Sequence, residues 1–288
     1  MAEHGLPRDH PPVLALVQDG IGMGPDGTLR GAELLLCDYA AARRLASLRP
    51  AALPGGDHAA MQPWRNLLAR LAQIGAPQDW PEPLALGLAH HPAVALHAAI
   101  IAGVNAPVAL PAGRLLDAVA AAAGICADRQ TYEGDAAMLL QACAERHLRQ
   151  NRAAPGYAFA TDNGPDGLHL TDPAPLWPQI AADIDSGATP GRIAARFHAG
   201  WAAVWADAVI GFAGSHGVGK IFRSGGGHID AAPAGRVVMR SLFGGDRLVG
   251  RLEGEQLPQT CGTAVRNRSV GGVGTWQGSG MACAGWCP

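Results

Sequence analysis

Asp19 stands where an apolar run, Val13 to Val17, gives way to glycines at 20, 22, 24 and 27. A carboxylate at a strand's end followed by spaced glycines suits two kinds of chemistry. The carboxylate can ligate a metal, and glycines let backbone N–H groups approach a phosphate. The same residues also spell a hairpin. Pro25-Asp26-Gly27 is a good turn, and the run Leu29 to Tyr39 can pair back onto the first strand. Glu33 in that second run is either a carboxylate close to the glycines or a solvent-facing residue of an edge strand. Further along, Gly113-Arg114 opens a helix, with Asp117 one turn in. A helix N-terminus favours anions, and an early Asp there can take a ribose hydroxyl. Acids are also ordinary residues of first helical turns.

Other candidates carry less. Gly214-Ser-His-Gly-Val-Gly-Lys220 matches the G-x-x-x-x-G-K pattern of a phosphate-cradling loop, which would make the chain a nucleoside triphosphatase. However, Ile221 replaces the Ser or Thr that would hold Mg²⁺, and F-R-S-G-G-G-H starts a helix poorly. His90 and His91 are adjacent, and neighbours on a regular element point apart, which argues against a shared metal. His97 reads as a core or surface histidine of an apolar helix. Cys37, Cys126 and Cys143 lie in apolar segments and read as buried thiols. Cys261, Cys283 and Cys287 lack a fourth ligand at zinc spacing.

The elements that must position these groups follow from periodicity. Strands are expected at Val13–Val17, Leu29–Tyr39 and Arg43–Leu53, with a glycine turn and Asp57 at a helix N-cap. Trp64, Leu67, Leu68 and Leu71 form a helical stripe ending near Gly75. One or two short helices fill Leu84 to Ile101, broken at His90-His91-Pro92. Helices follow from Gly113 to Gly124 and from Ala136 to Leu148, the second opened by Tyr132-Glu133-Gly134-Asp135. Short strands are expected near Tyr157 and at Leu168–Leu170, then helices at Pro175–Ile184 and Arg192–Val209. The last of these carries the packing stripe Phe197, Trp201 and Trp205. Beyond about Phe212 the helical period is lost, and about half of the 39 glycines fall in this last quarter. The formal net charge of −2 gives no electrostatic case for nucleic acid or a membrane surface. No apolar run is long enough to span a bilayer, and no signal-peptide pattern opens the chain, so a cytoplasmic location is expected.

Six stretches, taken in order, resemble one family. They are D-G-I-G-M-G-P-D-G-T-L-R-G-A-E-L from Asp19, L-R-P-A-A-L-P-G-G-D from Leu48, P-W-R-N from Pro63, G-R-L-L-D-A-V-A from Gly113, T-Y-E-G-D-A-A from Thr131, and I-A-A-R-F-H from Ile193. Together they resemble the C-terminal transferase domain of the HypF carbamoyltransferases of [NiFe]-hydrogenase maturation. The resemblance implies an α/β fold of the actin/hexokinase-like duplicated type, here incomplete. It divides the chain into a partial transferase domain at 1–210 and an irregular tail at 211–288, with a change of reading frame near Val209 to Gly219. It also implies ATP-dependent chemistry: carbamoyl phosphate and ATP give a carbamoyl-adenylate, and the carbamoyl group passes to the C-terminal cysteine of a HypE-like partner. Carried onto this chain, Asp19 would ligate a divalent metal (iron, zinc or magnesium). Gly20, Gly22 and Gly24 would line the phosphates, and Arg114, Asp117 and Gly134 would hold the nucleoside. The chain departs from the family at Ala109-Leu110-Pro111-Ala112, where the family has T-S-S, and at Leu116, where it has Phe. The family's histidine metal motif has no counterpart here, and only Ser224-Gly225-Gly226 remains of its S-G-G-x-F-Q-N. A fragment that binds nucleotide or partner without turnover is the alternative reading.

Overall fold

Val13–Met23 forms one strand, β1, paired antiparallel with β2, Leu29–Cys37. The expected strand end at Gln18 is therefore a correction: Gly20 and Gly22 lie within the strand, and the hairpin alternative describes this stretch. A strand persists while its partner supplies a ladder, and β2 supplies one as far as Met23 opposite Leu29. The register slips between Gln18 and Gly22, a bulge of the kind that bends a strand without ending it. The turn is clamped by its own side chains. Asp26 accepts from the Thr28 hydroxyl at 2.6 Å and pairs with Arg30 at 2.6 Å.

The structure is a computed structural model that describes residues 1–2, 5–225 and 249–251. Glu3-His4, Gly226, the three cysteines at 261, 283 and 287, and most of the expected irregular tail lie outside the described residues. Strand β3, Ala42–Leu48, follows β2 antiparallel; β4 is Ala51–Ala52 and β5 is Val108–Ala109. The helices α1 (Asp57–Met61), α2 (Pro63–Leu71), α3 (Glu82–Gly87) and α4 (Ala93–Ile101) come between β4 and β5. Next come α5 (Ala112–Ala122), α6 (Asp135–Gln150), β6 (Ala160–Asn163), β7 (His169–Asp172), α7 (Leu176–Asp185), α8 (Pro190–His216), β8 (Lys220–Ser224) and β9 (Val249–Arg251). One mixed sheet joins the strands in the order β6-β7-β3-β2-β1-β8-β9, with β5 beside β2 and β4 beside β5. The fold is mixed α/β. Residues 211–224 continue it: α8 runs on to His216, and β8 pairs parallel with β1.

Several local expectations are refined. The third strand is cut at Arg49-Pro50, because proline cannot donate to a ladder. Asp57 is the first residue of α1, and Gly56 holds the cap position without a side-chain bond. Thr189 does cap α8, accepting from the Arg192 N–H. No strand forms at Tyr157. Its N–H instead donates to the Arg196 carbonyl at 3.1 Å, so this segment lies on α8 rather than on a sheet. Cys37, Cys126 and Cys143 are half-buried rather than buried. Helix α4 buries none of its side chains fully, and His97 meets Trp80 edge-on at 5.8 Å.

The core lies between the sheet and the helices. Leu14, Leu16 and Leu34 point from β1 and β2 toward the buried stripes of α2, α5 and α8. Alanine at 118, 120 and 121 keeps α5 thin, so that helices pack closely around it. In α8, Phe197, Trp201 and Trp205 are fully enclosed, as the stripe predicts. Beside them His198 is buried with both ring nitrogens unpartnered among the described residues. Burial pushes its pKa down to about 4. The unfolded chain then takes up a proton near pH 6.5 that the folded chain refuses, so stability falls as pH drops from 6.5 toward 4. At pH 5 the loss is on the order of 2 kcal/mol relative to pH 8. His198→Leu is expected to flatten this acid limb, measured as urea unfolding midpoints at pH 5 and pH 8. An unchanged pH slope would contradict the assignment.

Candidate active site

The hairpin brings the middle of β1 against the start of α5 and the loop before α6. A Cβ placed on Gly113 would lie 2.9 Å from the Gly20 Cα, so the helix start and the strand touch backbone to backbone. A Cβ on Gly20 would lie 3.8 Å from Glu133 Oε1. Arg114, one residue into the helix from this contact, is buried between two carboxylates. It meets Asp117 Oδ2 at 3.2 Å and Glu133 Oε1 at 3.0 Å. Asp117 is fully buried, whereas the Glu133 side chain is half exposed. The triad therefore runs from the interior to the surface.

This cluster has unsatisfied capacity. Among the described residues the Arg114 Nε and the side-chain amide of Gln18 lack hydrogen-bond partners, and Asp117 is held only by the Arg114 ion pair and a weak approach of the Gln130 side chain, with no well-aligned hydrogen bond to either oxygen. Gln18 continues the buried stripe of Leu14 and Leu16 toward the helix layer. Buried polar groups without partners are rare in native proteins, and they mark places where water or a ligand completes the network. Burial pushes Asp117 up to about 7, opposed by the Arg114 guanidinium and reinforced by the charge on Glu133. A carboxyl poised there, beside a helix N-terminus with free N–H groups, suits an anionic ligand carrying hydroxyls.

Of the residues singled out from sequence, Gly20, Arg114, Asp117 and Gly134 converge here. Gly134 adopts a left-handed conformation at the N-cap of α6, one residue after Glu133. Gly22 and Gly24 follow the hairpin arm outward, and both have Arg30 as their neighbour. Gly24 is about 13 Å along an extended strand from Gly20. Asp19 is half-buried, and its Oδ1 accepts the Gly20 N–H at 2.7 Å. It retains a carboxylate oxygen for a cation, but among the described residues it belongs to no group of three convergent metal ligands. Glu33 lies in an interior strand, not an edge one. It is buried and neutralised by Arg44 at 3.4 Å and Arg30 at 3.6 Å. Sequence reasoning passed over Gln18 and gave Glu133 no role. The signals were a glutamine continuing a buried alternation and a glutamate fixed by the glycine after it. Ser224 lies opposite Val17 on the parallel strand β8, at the same end of the sheet as Asp19.

The phosphate-loop reading of Gly214–Lys220 is overturned by connectivity. Such a loop joins a strand to a following helix whose N-terminus meets the phosphate. Here the order is reversed: Gly214 to His216 end α8, Gly217 caps it in the left-handed conformation, and Lys220 begins β8. The loop thus faces the wrong end of a helix dipole. The expectation for His90 and His91 is also corrected. They sit in an irregular turn between α3 and α4, and both imidazoles reach Asp128. Among the described residues no helix is long and apolar enough to cross a membrane.

Comparison with known proteins agrees with the six stretches. The family model described as carbamoyltransferase, Kae1-like domain, second subdomain matches residues 15–233. Carbamoyltransferase HypF of Rhodobacter capsulatus is 42% identical over 222 residues, which cover 72% of this chain and 25% of that protein. A carbamoyltransferase HypF homolog of Cupriavidus necator is 33% identical over 232 residues, covering 78% of this chain and 56% of that protein. The crystal structure of full-length HypF in its phosphate- and nucleotide-bound form superposes with a TM-score of 0.66 at 27% identity, covering 78% of this chain and 34% of that one. HypF from T. kodakarensis gives 0.64 at 28% identity, covering 78% of this chain and 29% of that one. The chain thus spans a quarter of the R. capsulatus relative and just over half of the C. necator one. With the family model matching residues 15–233 and these relatives similar over most of its length, the chain belongs to the HypF carbamoyltransferase family, through its Kae1-like domain, second subdomain.

Proposed function

We propose that this chain carries the nucleotide-binding part of a HypF-type carbamoyltransferase, in which a carbamoyl-adenylate formed from ATP and carbamoyl phosphate is held for transfer. One observation carries the reading: the Asp117–Arg114–Glu133 triad, running from buried Asp117 to half-exposed Glu133, at the start of α5 against Gly20. In this reading Asp117 and Glu133 accept the ribose hydroxyls. The free N–H groups of α5 and the strand at Gly20 face the phosphate. Arg114 keeps the two carboxylates in register and compensates their charge. Transfer joins the carbamoyl carbon to the acceptor's cysteine sulfur and breaks its bond to the phosphate oxygen, releasing AMP. The acceptor of this proposal is the C-terminal thiolate of a HypE-like protein. Asp19, with its remaining oxygen, is the residue that would hold a divalent metal, and such a metal would supply Lewis-acid polarisation of the carbonyl or phosphate oxygen. The meander β1–β2–β3 with β8 added parallel to β1 supports assigning the sheet to one half of an actin/hexokinase-like duplication. In this reading the chain acts in the cytoplasm.

A second reading is favoured by one observation: among the described residues Asp19 belongs to no group of three convergent His, Cys, Asp or Glu ligands. The chain would then bind nucleotide or partner without turnover. Calorimetry with ATP and with a non-hydrolysable carbamoyl-adenylate analogue, with and without divalent metal, tests both. Metal-dependent binding that weakens at least tenfold in Asp19→Ala supports the first reading. Binding indifferent to metal and to Asp19 supports the second. No binding by a folded sample overturns the first reading and the nucleotide-binding form of the second.

A further inference from the structure

Outside that site, three side chains from two loops converge. His90 and His91 each place Nε2 against the same oxygen of Asp128, at 2.8 and 3.0 Å. Their ligand atoms all lie within 4.8 Å of one another. Two adjacent histidines can do this because their backbone is not a regular element. The His91 N–H donates to the Leu88 carbonyl, and the Ala93 N–H closes a tight turn onto the His91 carbonyl at 2.7 Å. The two rings consequently lie on one side, with centroids 4.0 Å apart.

The support beneath them is rigid. His91 stacks on Trp64 at 4.0 Å with the planes 5° from parallel, and its side chain is only 12% exposed. Trp64 also fixes the loop bearing Asp128, because its N–H donates to the Ala127 carbonyl at 3.0 Å. Two residues after Asp128, Gln130 is tied to the α1–α2 segment through its N–H to Met61 and its side-chain amide to Ala60. Helix α2 thus holds both ligand-bearing loops in place. His90 and Asp128 have side chains 60% and 67% exposed, so the outer side of the cluster is open to water.

We propose that His90, His91 and Asp128 form a binding site for a divalent transition-metal ion of the zinc class, with water completing the coordination. Two imidazole nitrogens and one carboxylate are a donor set suited to zinc or cobalt, and three protein ligands leave one open position. Binding replaces the two N–H···O bonds. Each neutral imidazole moves its proton to Nδ1 and turns the Nε2 lone pair toward the metal, while Asp128 supplies an oxygen. The site bridges the α3–α4 turn and the α5–α6 loop, and it is independent of Asp19.

The test is titration of untagged full-length protein with Co(II), read by visible absorption, followed by Zn(II) competition. Wild type should show tetrahedral d–d bands that saturate with one equivalent at this site, and no thiolate charge-transfer band. His90→Ala and Asp128→Asn should each weaken binding at least tenfold, while Asp19→Ala keeps the signal. Both substituted positions are exposed, so thermal unfolding without metal should match wild type. Asp128→Asn keeps an oxygen that can accept from both histidines, which separates metal binding from hydrogen bonding. Equal affinity in wild type, His90→Ala and Asp128→Asn, or a thiolate band, overturns the proposal.

Discussion

At the proposed nucleotide site, Asp117→Ala is expected to lower nucleotide affinity by roughly a hundredfold, corresponding to about 3 kcal/mol for a charged hydrogen-bonding group lost from a buried site. Asp117 is fully buried, with no well-aligned hydrogen bond to either oxygen among the described residues. A ligand hydroxyl donating to it would supply the aligned bond it lacks. The alanine variant also leaves Arg114 with Glu133 alone, and Asp117→Asn serves as the control that keeps the side-chain volume. The two variants separate through pH. With Asp117 pushed up to about 7, wild-type affinity should rise as pH passes through 7, because the ionised form is the better acceptor. The asparagine variant should show no such step. Stability runs the opposite way. Between the ordinary value of 3.8 and about 7, the folded chain keeps a proton that the unfolded chain has released. Stability is therefore greatest at the acid end of that window and falls as pH rises through it, by on the order of 4 kcal/mol for this group alone. Asp117→Asn should remove that slope. Calorimetry and urea unfolding from pH 5 to pH 8 measure both effects; because His198 tilts wild-type stability the other way over this range, the comparison is with the variant, and an Asp117→Asn profile parallel to wild type would refute the assignment.

The second large effect is expected far from any ligand. Gly200→Ala destabilises the protein by about 3 kcal/mol or more, with a fall in Tm of roughly 6–12 °C. A Cβ at Gly200 would run into the Tyr157 carbonyl, and one at Gly156 would run into the Gly200 backbone. These obstacles are main chain, which cannot rotate away. To make room, the segment around Tyr157 must lift off α8. That lift would break the Tyr157 hydroxyl's bond to Asp183 at 2.6 Å, the Arg196–Asp183 pair at 2.6 Å and the stacking of Arg196 over the Tyr157 ring at 4.2 Å. Gly211, on the same helix, is the matched control, because nothing lies within 4 Å of the Cβ it lacks. Gly211→Ala should stabilise by about 0.5–1 kcal/mol through helix propensity. Thermal melts of the pair check the argument: equal effects would mean that the close approach carries no weight.

Sequence alone determined what depends on near neighbours. The helices at Trp64–Leu71, Gly113–Gly124 and Arg192–Val209 were legible because an apolar stripe at helical spacing has few other readings. Thr189 was legible as a cap for the same local reason. The six ordered stretches also determined the family. What the sequence left open needed partners distant in the chain. Gly20 and Gly22 read as a loop, since nothing nearby says that Arg30 and Ala32 continue the ladder. Gly214–Lys220 matched the phosphate-loop pattern while Ile221 and the glycines after it spoke against it, and the order helix, turn, strand excluded it. The triad needed the start of α5 and the loop before α6 to meet the same strand, and His90, His91 and Asp128 needed an irregular turn to aim two neighbours at one oxygen. The reason is common to all of these. Periodicity reports which face of an element is buried, whereas a site is made where separate elements cross, and only long-range packing sets those crossings.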